Sequence, residues 1–406
     1  MIGGVVADGF EPVRAEFEAN FTRRGELGAA CAAYYRGALV VDLWGGWRDV
    51  ARSAPWERDT LVLVYSTSKG LAALTVGLAH SRGWLDFDAS VASYWPEFAQ
   101  NGKERVTVRQ LLAHQAGLCA IDEPLTAAKL GDLDGLAEVL ARQRPAWEPG
   151  TRQGYHALSL GWYEGELIRR VDPEHRSLGR LFAEEVAEPL GLEFYFGLPA
   201  GIPPERVASI KGGGVLDALL HPRGMPAAML AAFSRRSSLT SRVFGNPKLR
   251  STAGLDAPEY RAVENPAGGG IGLVRSVAKA YSELATGGRT LELSSDTLAQ
   301  LTAPPRPPSA VTRDQVLLTD ASFSLGFARP GPGFSFGSSD RALGHPGAGG
   351  SFAFADPDLG LSFAYAPNRL GHYLRDDPRE KALRDTLYLC IHRLAESTPT
   401  GAPARP

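Results

Sequence analysis

Strand-like segments occur at both ends of this 406-residue chain, whereas helical patterns fill its middle. The segment ACAAYYRGALVVDLWGG at 30–46 has two extended runs around Arg36 and Gly37, which is typical of a β-hairpin. Alternating apolar segments return near the other end, at 322–330, 344–358 and 360–368. A closing helical pattern follows at about 377–394. This order indicates one layer of strands built from both ends of the chain, with a helical insertion between them.

The same order predicts an α/β (α+β) protein with two domains. One domain is discontinuous and combines residues 1–85 with 267–396, and a mainly helical insertion domain occupies 86–266. Within the insertion, the segment at about 208–265 has little periodicity, and we expect a lid or loop there. The tail at 397–406 is rich in Pro, Ala and Thr, and we expect it to be disordered.

The composition is that of an ordinary globular protein, with 44% hydrophobic and 22% charged residues. A formal net charge of −2 gives no electrostatic reason to expect binding to nucleic acid or to an anionic membrane. No apolar run reaches membrane-spanning length, and acidic residues stand where a signal peptide has its apolar core. Cys31, Cys119 and Cys390 lack the spacing of zinc ligands or of a disulfide framework. We therefore expect a protein of the reducing cytoplasm.

A serine stands three residues before a lysine where an apolar run turns helical, in VLVYSTSKGLAALTVGLA at 62–79. Ser66 and Lys69 would lie one turn apart on the same helix face. A lysine whose pKa is lowered by burial can take the proton of a serine hydroxyl, and helix N-terminal N–H groups can stabilise an oxyanion. The pair could therefore support an acyl-enzyme. The alternative is an N-capping serine beside a lysine that extends from a buried helix.

A second Ser-x-x-Lys pair demonstrates that this spacing alone is not specific. Ser276 and Lys279 flank an apolar helical stripe, and we expect both on its solvated face. Ser335 satisfies the pattern Gly-x-Ser-x-Gly at 333–337. A turn rather than a helix follows Ser335, so we do not expect it to be a nucleophile.

Two other segments carry groups that could act with the serine. Tyr155, in GYHA, is expected either to be the first core residue of a helix or to hold a proton-carrying phenol where that helix starts. His345 lies in GHPGAGGSFAF, where glycines before a strand indicate close approach of a ligand or another backbone segment. A mobile turn is the alternative for that segment. His114, in RQLLAHQAGL, is expected to end and brace a helix.

Taken in chain order, STSK, GYHA and GHPG resemble the motifs of the serine β-lactamase and penicillin-binding protein superfamily. The closer similarity is to the family VIII carboxylesterases, which are related to class C β-lactamases. Flanking segments at 94–118, 147–162 and 343–368 are similar to that family almost throughout, and the resemblance covers about residues 10–395. It implies a β-lactamase-like fold, with an antiparallel sheet flanked by helices and a mainly helical insertion.

The resemblance also implies a role for each motif residue. Ser66 would be the acylated nucleophile, Lys69 its partner in proton transfer, and Tyr155 the base or proton shuttle. The backbone N–H groups of Ser66 and Ala348 would form the oxyanion hole. Neither a metal nor a cofactor would take part.

His345, Gly347 and His156 would contact the substrate, and the two motifs that contain them depart from those of β-lactamases. His345-Pro346-Gly347 stands in place of a Lys-Thr-Gly triplet, so a mostly neutral imidazole replaces a cation and Pro346 offers no hydroxyl. The tyrosine motif ends in Ala157 instead of Asn, and no Ser-Asp-Asn triplet occurs. We therefore expect inefficient hydrolysis of β-lactams.

The sequence thus predicts a serine esterase that acts on small or medium acyl esters through an acyl-enzyme. An acyltransferase, an amide or peptide hydrolase, a cyclase and a weak β-lactamase are alternatives, since each could use the same groups. An inert binding protein that retains the fold is the alternative outside enzymes. The expected partner is a small-molecule ester, and neither nucleic acid nor a membrane is expected to bind.

Overall fold

The computed structural model describes residues 2–212, 224–249 and 251–397. The strands in these ranges are β1 (Ile2–Val6), β2 (Gly28–Tyr35), β3 (Ala38–Gly46), β4 (Val62–Leu63), β5 (Phe194–Phe196), β6 (Gly270–Gly272), β7 (Phe323–Ser324), β8 (Phe327–Ala328), β9 (Leu343–Pro346), β10 (Phe352–Asp356) and β11 (Leu361–Pro367). The helices are α1 (Glu11–Arg23), α2 (Ser68–Ser81), α3 (Val91–Tyr94), α4 (Val108–Leu112), α5 (Ala127–Gly131), α6 (Leu133–Arg142), α7 (Ser159–Val171), α8 (Leu178–Phe182), α9 (Glu188–Leu190), α10 (Ala227–Phe233), α11 (Leu239–Phe244), α12 (Pro258–Arg261), α13 (Val274–Thr286), α14 (Ser295–Thr302) and α15 (Pro378–Ser397).

The larger sheet joins strands from both ends of the chain. Its order is β1-β3-β2-β11-β10-β9-β8-β7, with every neighbouring pair antiparallel. Strand β2 pairs with β11, so that Cys31 lies opposite Tyr365. Arg36 and Gly37 connect β2 to β3 with φ of 52° and 82°, the positive values that favoured two-residue hairpin turns require. The predicted hairpin and the predicted antiparallel sheet are both confirmed.

Residue size decides which helices cover each face of this sheet. Along β10 and β11 the alanines belong to the core cluster that contains α13, whereas the large aromatic residues belong to the cluster that contains α1 and α15. Alternation along a strand sends these two sets to opposite faces. The small residues let α13 lie directly against the sheet, while the aromatic rings fill the space under α1 and α15. The result is a sheet between two helical layers.

The middle of the chain is mainly helical, as predicted. Helices α3 to α12 fall between residues 91 and 261, and the only strand there in the described ranges is the short β5. This strand joins β6 and β4 in a second antiparallel sheet of order β4-β6-β5. The division into a domain of 1–85 with 267–396 and an insertion of 86–266 stays a prediction. The predicted tail lies outside the described residues, apart from Ser397 at the end of α15.

Three local expectations need correction. The segment at 208–265 is more regular than expected, because its described parts contain α10, α11 and α12. The helix expected to begin near Tyr155 begins at Ser159. Ser276 is not on a solvated face, since it is buried and its Oγ accepts a hydrogen bond from the N–H of Glu193.

No helix among the described residues is both long enough and apolar enough to cross a membrane.

Candidate active site

Ser66 lies in a tight turn between β4 and α2. The turn is a 3-10 helix over Tyr65–Thr67, in which Ser66 is half-buried and both neighbours are buried. Tyr65 has φ of 51°, a left-handed conformation that non-glycine residues adopt rarely and at an energetic penalty. Ser351 holds the turn in place, because its Oγ donates to Val64 O at 2.8 Å and accepts from Thr67 Oγ1 at 3.1 Å. The loop between β9 and β10 therefore fixes the backbone around Ser66.

Lys69 points from the first turn of α2 toward Ser66 and has no solvent exposure. Its Nζ donates to the carbonyl oxygens of Ala157 at 2.6 Å and Ala267 at 2.7 Å, and lies 3.3 Å from Ser66 Oγ. Burial lowers the pKa of Lys69 from 10.5 to about 7. As a neutral amine, Lys69 can keep both carbonyl hydrogen bonds and direct its lone pair at the serine hydroxyl.

Tyr155 lies in the loop before α7 and completes a cluster with Ser66 and Lys69. Its hydroxyl interacts with Ser66, and its ring centre lies 4.8 Å from Lys69 Nζ. Burial raises the pKa of Tyr155 above its usual 10, and the interaction with the Ser66 hydroxyl partly opposes this. Tyr155 therefore stays a phenol at neutral pH, able to donate and accept a proton in turn. The structure thus brings the three predicted catalytic side chains together.

Asp314 positions Tyr155 and was not identified from the sequence. Its Oδ1 accepts hydrogen bonds from the backbone N–H groups of Tyr155 at 3.2 Å, Val316 at 2.8 Å and Leu317 at 2.8 Å. Burial raises the pKa of Asp314, and these three hydrogen bonds oppose the shift. The carboxyl group thus fixes the backbone that carries the tyrosine.

His345 lies against Tyr155 as a neutral imidazole. The two rings stack with their centres 5.8 Å apart. Because a carbonyl only accepts, His345 Nδ1 must donate to Pro346 O at 2.8 Å, which leaves Nε2 as an unprotonated acceptor. Burial, together with the charge of Lys69, holds the pKa of His345 well below 6.5. A cation does not stand at this position at neutral pH.

The predicted substrate contact of His156 is wrong. This side chain has no solvent exposure, its Nδ1 donates to Gly154 O at 2.7 Å, and its Nε2 accepts from the N–H of Leu118 at 3.1 Å. Both ring nitrogens are therefore used in holding backbone segments together. His114 performs the bracing role that was expected of it, since it follows the end of α4 and its Nδ1 accepts from the N–H of His156 at 3.0 Å.

The two residues whose backbone N–H groups are assigned to the oxyanion hole both line one cavity. Ser66 and Ala348 line it, and among the described residues neither N–H finds an acceptor. Gly347 precedes Ala348 and lies so close to the Ser66 turn that a Cβ there would be 2.5 Å from Val64 O. Only glycine permits this approach, which brings Ala348 to the serine.

The cavity has a volume of about 420 Å³ and a mainly apolar wall. Ser66, Tyr155 and His345 lie on one part of this wall. Apolar side chains of α10, α11 and the segments near residues 320 and 372 form much of the rest, among them Met229, Phe233, Phe244, Leu317, Phe323 and Leu374. The segment at 208–265, where a lid or loop was expected, thus contributes α10 and α11 to the cavity wall. In the described ranges, acidic, cysteine and histidine side chains form no group of three that could hold a metal ion.

A comparison with protein families agrees with this fold. The model of the family described as Beta-lactamase matches residues 13–387. The chain belongs to the beta-lactamase family. Within the family, it is 33% identical over 359 residues to the Esterase/beta-lactamase LipL of Mycobacterium tuberculosis, covering 88% of this chain and 80% of LipL.

Solved structures of the beta-lactamase fold agree as well. A family VIII carboxylesterase has a TM-score of 0.82 and 39% identity, covering 96% of this chain and 100% of the other. A penicillin-binding protein homologue from Caulobacter crescentus has a TM-score of 0.82 and 38% identity, again covering 96% and 100%. The resemblance inferred from the motifs is therefore confirmed.

Proposed function

We propose that this protein is a serine hydrolase that cleaves carboxylic esters through an acyl-enzyme on Ser66. The observation that supports this most directly is the position of Lys69 Nζ, 3.3 Å from Ser66 Oγ and oriented by two backbone carbonyls. The nucleophile and its base meet at the wall of an apolar cavity, the environment that an ester would enter. Two of the similar proteins are named as an esterase and a carboxylesterase, which agrees with this function.

In the acylation step, Ser66 Oγ attacks the ester carbonyl while its proton moves to Lys69. The N–H groups of Ser66 and Ala348 would stabilise the oxyanion, since neither is committed to another acceptor in the described protein. Tyr155 lies beside both Ser66 and Lys69 and would relay the proton from Lys69 to the leaving alkoxide. The ester C–O bond breaks, the alcohol leaves, and Ser66 carries the acyl group.

Water completes the cycle by the same route in reverse. It gives a proton to Lys69 through Tyr155, attacks the acyl carbonyl, and releases the acid as Ser66 recovers its proton. An alcohol or amine could enter in place of water, because Tyr155 and Lys69 could accept the proton of its O–H or N–H group in the same way. Acyl transfer is therefore the first alternative to hydrolysis.

We propose neutral esters rather than β-lactams as the substrates. β-Lactam antibiotics carry a carboxylate, and the neutral ring of His345 provides no cation at the position where β-lactamases have the lysine of their triplet. The proposed compartment is the reducing cytoplasm, with which three buried, unpaired cysteines are compatible.

The proposal would be tested by comparing the hydrolysis of p-nitrophenyl butyrate with that of a chromogenic cephalosporin. We expect the native protein to cleave the ester and to cleave the cephalosporin slowly or not at all. Ser66→Ala should abolish ester cleavage, whereas Ser335→Ala is the matched control, because Ser335 is exposed and lies outside the cavity. Retained activity in Ser66→Ala would refute the assignment of the nucleophile.

A fluorophosphonate probe separates the remaining alternatives. An adduct on Ser66 without ester hydrolysis would favour transfer to an alcohol or amine, which added acceptors would then reveal as new products. The absence of both an adduct and turnover would favour an inert binding protein.

A further inference from the structure

Glu164 is a buried carboxyl group that the catalytic cycle does not use. It lies on α7 with no solvent exposure, and neither carboxyl oxygen has a hydrogen-bond partner among the described residues. A carboxylate can only accept hydrogen bonds, so an ionised Glu164 would be a buried anion without a single donor. A neutral carboxylic acid avoids most of this penalty. The surroundings of Glu164 therefore favour its protonated form.

The carboxyl group lies against the helix that carries Lys69. A Cβ placed at Gly326 would be 2.7 Å from the Cβ of Ala73 and 3.3 Å from Glu164 Oε1, so the carboxyl group and Ala73 meet at the same glycine. Ala73 is one helical turn beyond Lys69 on α2. Glu164 does not line the substrate cavity. It can therefore influence the reaction only through the side chains that it faces.

Lys69 is the one charge in the described protein that acts noticeably on Glu164. Burial raises the pKa of Glu164 to about 8, and the charge of Lys69 opposes this shift. Lys69 is faced in turn by Glu164, by the phenol of Tyr155 and by three histidines that burial keeps neutral, His114, His156 and His345. An ionised Glu164 would have no donor among the described residues, whereas a neutral Lys69 amine keeps both of its carbonyl acceptors, so a proton shared by the pair is better placed on Glu164.

We propose that Glu164 is a positioning residue that stays protonated at neutral pH and leaves Lys69 as a free amine directed at Ser66. The competing state, an ammonium and a carboxylate, contains the same number of protons but requires the anion without donors. The free amine has the lone pair that Ser66 deprotonation needs. This inference rests on the proposed function for its catalytic consequence, whereas the protonation of Glu164 can be tested without any substrate.

Thermal unfolding of Glu164→Gln tests the protonation directly. The folded protein holds a proton that the unfolded chain loses above pH 4.5, so the free energy of unfolding of the native protein falls as the pH rises toward 8. The amide introduced by Glu164→Gln does not titrate, and the Tm of the variant relative to the native protein should rise by about 5 °C between pH 5 and pH 8. Glu164→Leu, which buries no polar atom, should show the same relative rise.

Glu166→Gln is the matched control on the same helix. Glu166 accepts from Arg169 at 2.9 Å and from Arg170 at 2.6 Å, so its carboxyl group pairs with two arginines. Removing its charge should lower the Tm at both pH values. The proposal would be overturned if the Tm of Glu164→Gln relative to the native protein were lower at pH 8 than at pH 5. It would also be overturned if this difference in Tm did not change with pH.

The pH profile of kcat/KM for p-nitrophenyl butyrate provides the second readout. If Glu164 is neutral, Glu164→Gln should keep the acidic limb of the profile within about 0.3 pH unit of the native position. If Glu164 were the anionic partner of Lys69, the variant would lower the pKa of Lys69 and move this limb down by about one pH unit or more. A native protein that cleaves no ester would refute the proposed function, while the unfolding experiment would still decide the protonation of Glu164.

Discussion

At the scale of single residues, the carboxyl group of Asp314 takes no part in the reaction but fixes the backbone of Tyr155. Asp314 Oδ1 accepts three backbone N–H groups, one of which belongs to Tyr155. Tyr155 precedes α7 rather than lying inside it, so no helical hydrogen bonds hold its backbone. Its position beside Ser66 therefore depends on the loop that carries Asp314.

Asp314→Ala should reduce both stability and turnover. The substitution leaves three backbone donors without their acceptor, and we expect a loss of about 3 kcal/mol in the free energy of unfolding. Turnover should fall by about tenfold or more, since a displaced phenol no longer meets Ser66. Urea unfolding and steady-state kinetics would measure the two effects. Asp314→Asn retains Oδ1 and should keep most of both; equal losses in the two variants would contradict this role.

The sequence contained enough information for part of this site. Ser66, Lys69 and Tyr155 were identified because each lies in a short motif, and three motifs in order are specific. Asp314 and Glu164 lie in no motif. Asp314 matters because folding brings backbone N–H groups to its carboxyl group, and Glu164 matters because it is buried without a nearby donor. His156 was misassigned because the adjacent Tyr155 lines the cavity, whereas the His156 ring is buried and hydrogen-bonded to two backbone segments.

At the scale of elements, α2 is held between neighbours by its small residues. Its buried face includes Gly70, which meets Tyr281 of α13, and Gly77, which lies near Leu301 of α14. A Cβ at Gly70 would overlap the Tyr281 hydroxyl, whereas a Cβ at Gly77 would have its nearest contact at 3.4 Å. Packing against Tyr281 therefore requires glycine at position 70, whereas the space at position 77 can hold a methyl group.

Gly70→Ala and Gly77→Ala should therefore change stability in opposite directions. Gly70→Ala forces α2 and α13 apart, and we expect a loss of about 2 kcal/mol or more. Gly77→Ala gains helix propensity in ordinary van der Waals space and should stabilise the protein by about 0.5 kcal/mol or more. Denaturant unfolding would measure both. Tyr281→Phe, which removes the overlapping hydroxyl, should restore part of the loss in Gly70→Ala; no recovery would contradict the proposed clash.

Helix α10 should control which esters fit the cavity. Met229 is buried on the cavity wall, whereas its neighbour Leu230 is 42% exposed and lies outside it. Met229→Trp fills space near the substrate, and we expect kcat/KM for p-nitrophenyl hexanoate to fall by about tenfold more than that for the acetate. Leu230→Trp is the control and should leave the ratio of the two esters unchanged. An unchanged ratio in Met229→Trp would exclude α10 from acyl selection.

Helices and strands were predicted well where a single hydrophobic periodicity extends along a segment that packs against the core. The hairpin at Arg36 and Gly37 combines alternating strands with residues suited to positive φ, and the structure contains it. Helices α10 and α11 were missed because they are short, at seven and six residues, and part of their apolar surface faces the cavity instead of a regular core. Periodicity is a weak signal over so few residues.

At the scale of the whole molecule, Arg379 joins distant parts of the chain near the active site. It donates to Glu26 at 3.2 Å, to Asp377 at 2.9 Å, and to the carbonyl oxygens of Arg369 at 2.8 Å and Gly349 at 2.7 Å. Glu26 is 353 residues away in sequence, so no local pattern could have predicted this cluster. The sheet built from both ends of the chain was predictable, but the ionic contact that links those ends was not.

Arg379→Gln should disturb the fold and the active site together. It leaves the buried carboxyl group of Glu26 without its cation, for which we expect a loss of about 3 kcal/mol or more in stability. It also frees the carbonyl of Gly349, next to the N–H of Ala348 that is proposed for the oxyanion, so kcat should fall more than KM rises. Lys381→Gln is the control on the same helix, because its pair with Asp385 is exposed and should change stability by less than about 0.5 kcal/mol. Urea unfolding and ester kinetics would measure both variants. A stability loss in Arg379→Gln with an unchanged kcat would limit Arg379 to joining the chain ends and would separate it from the oxyanion loop.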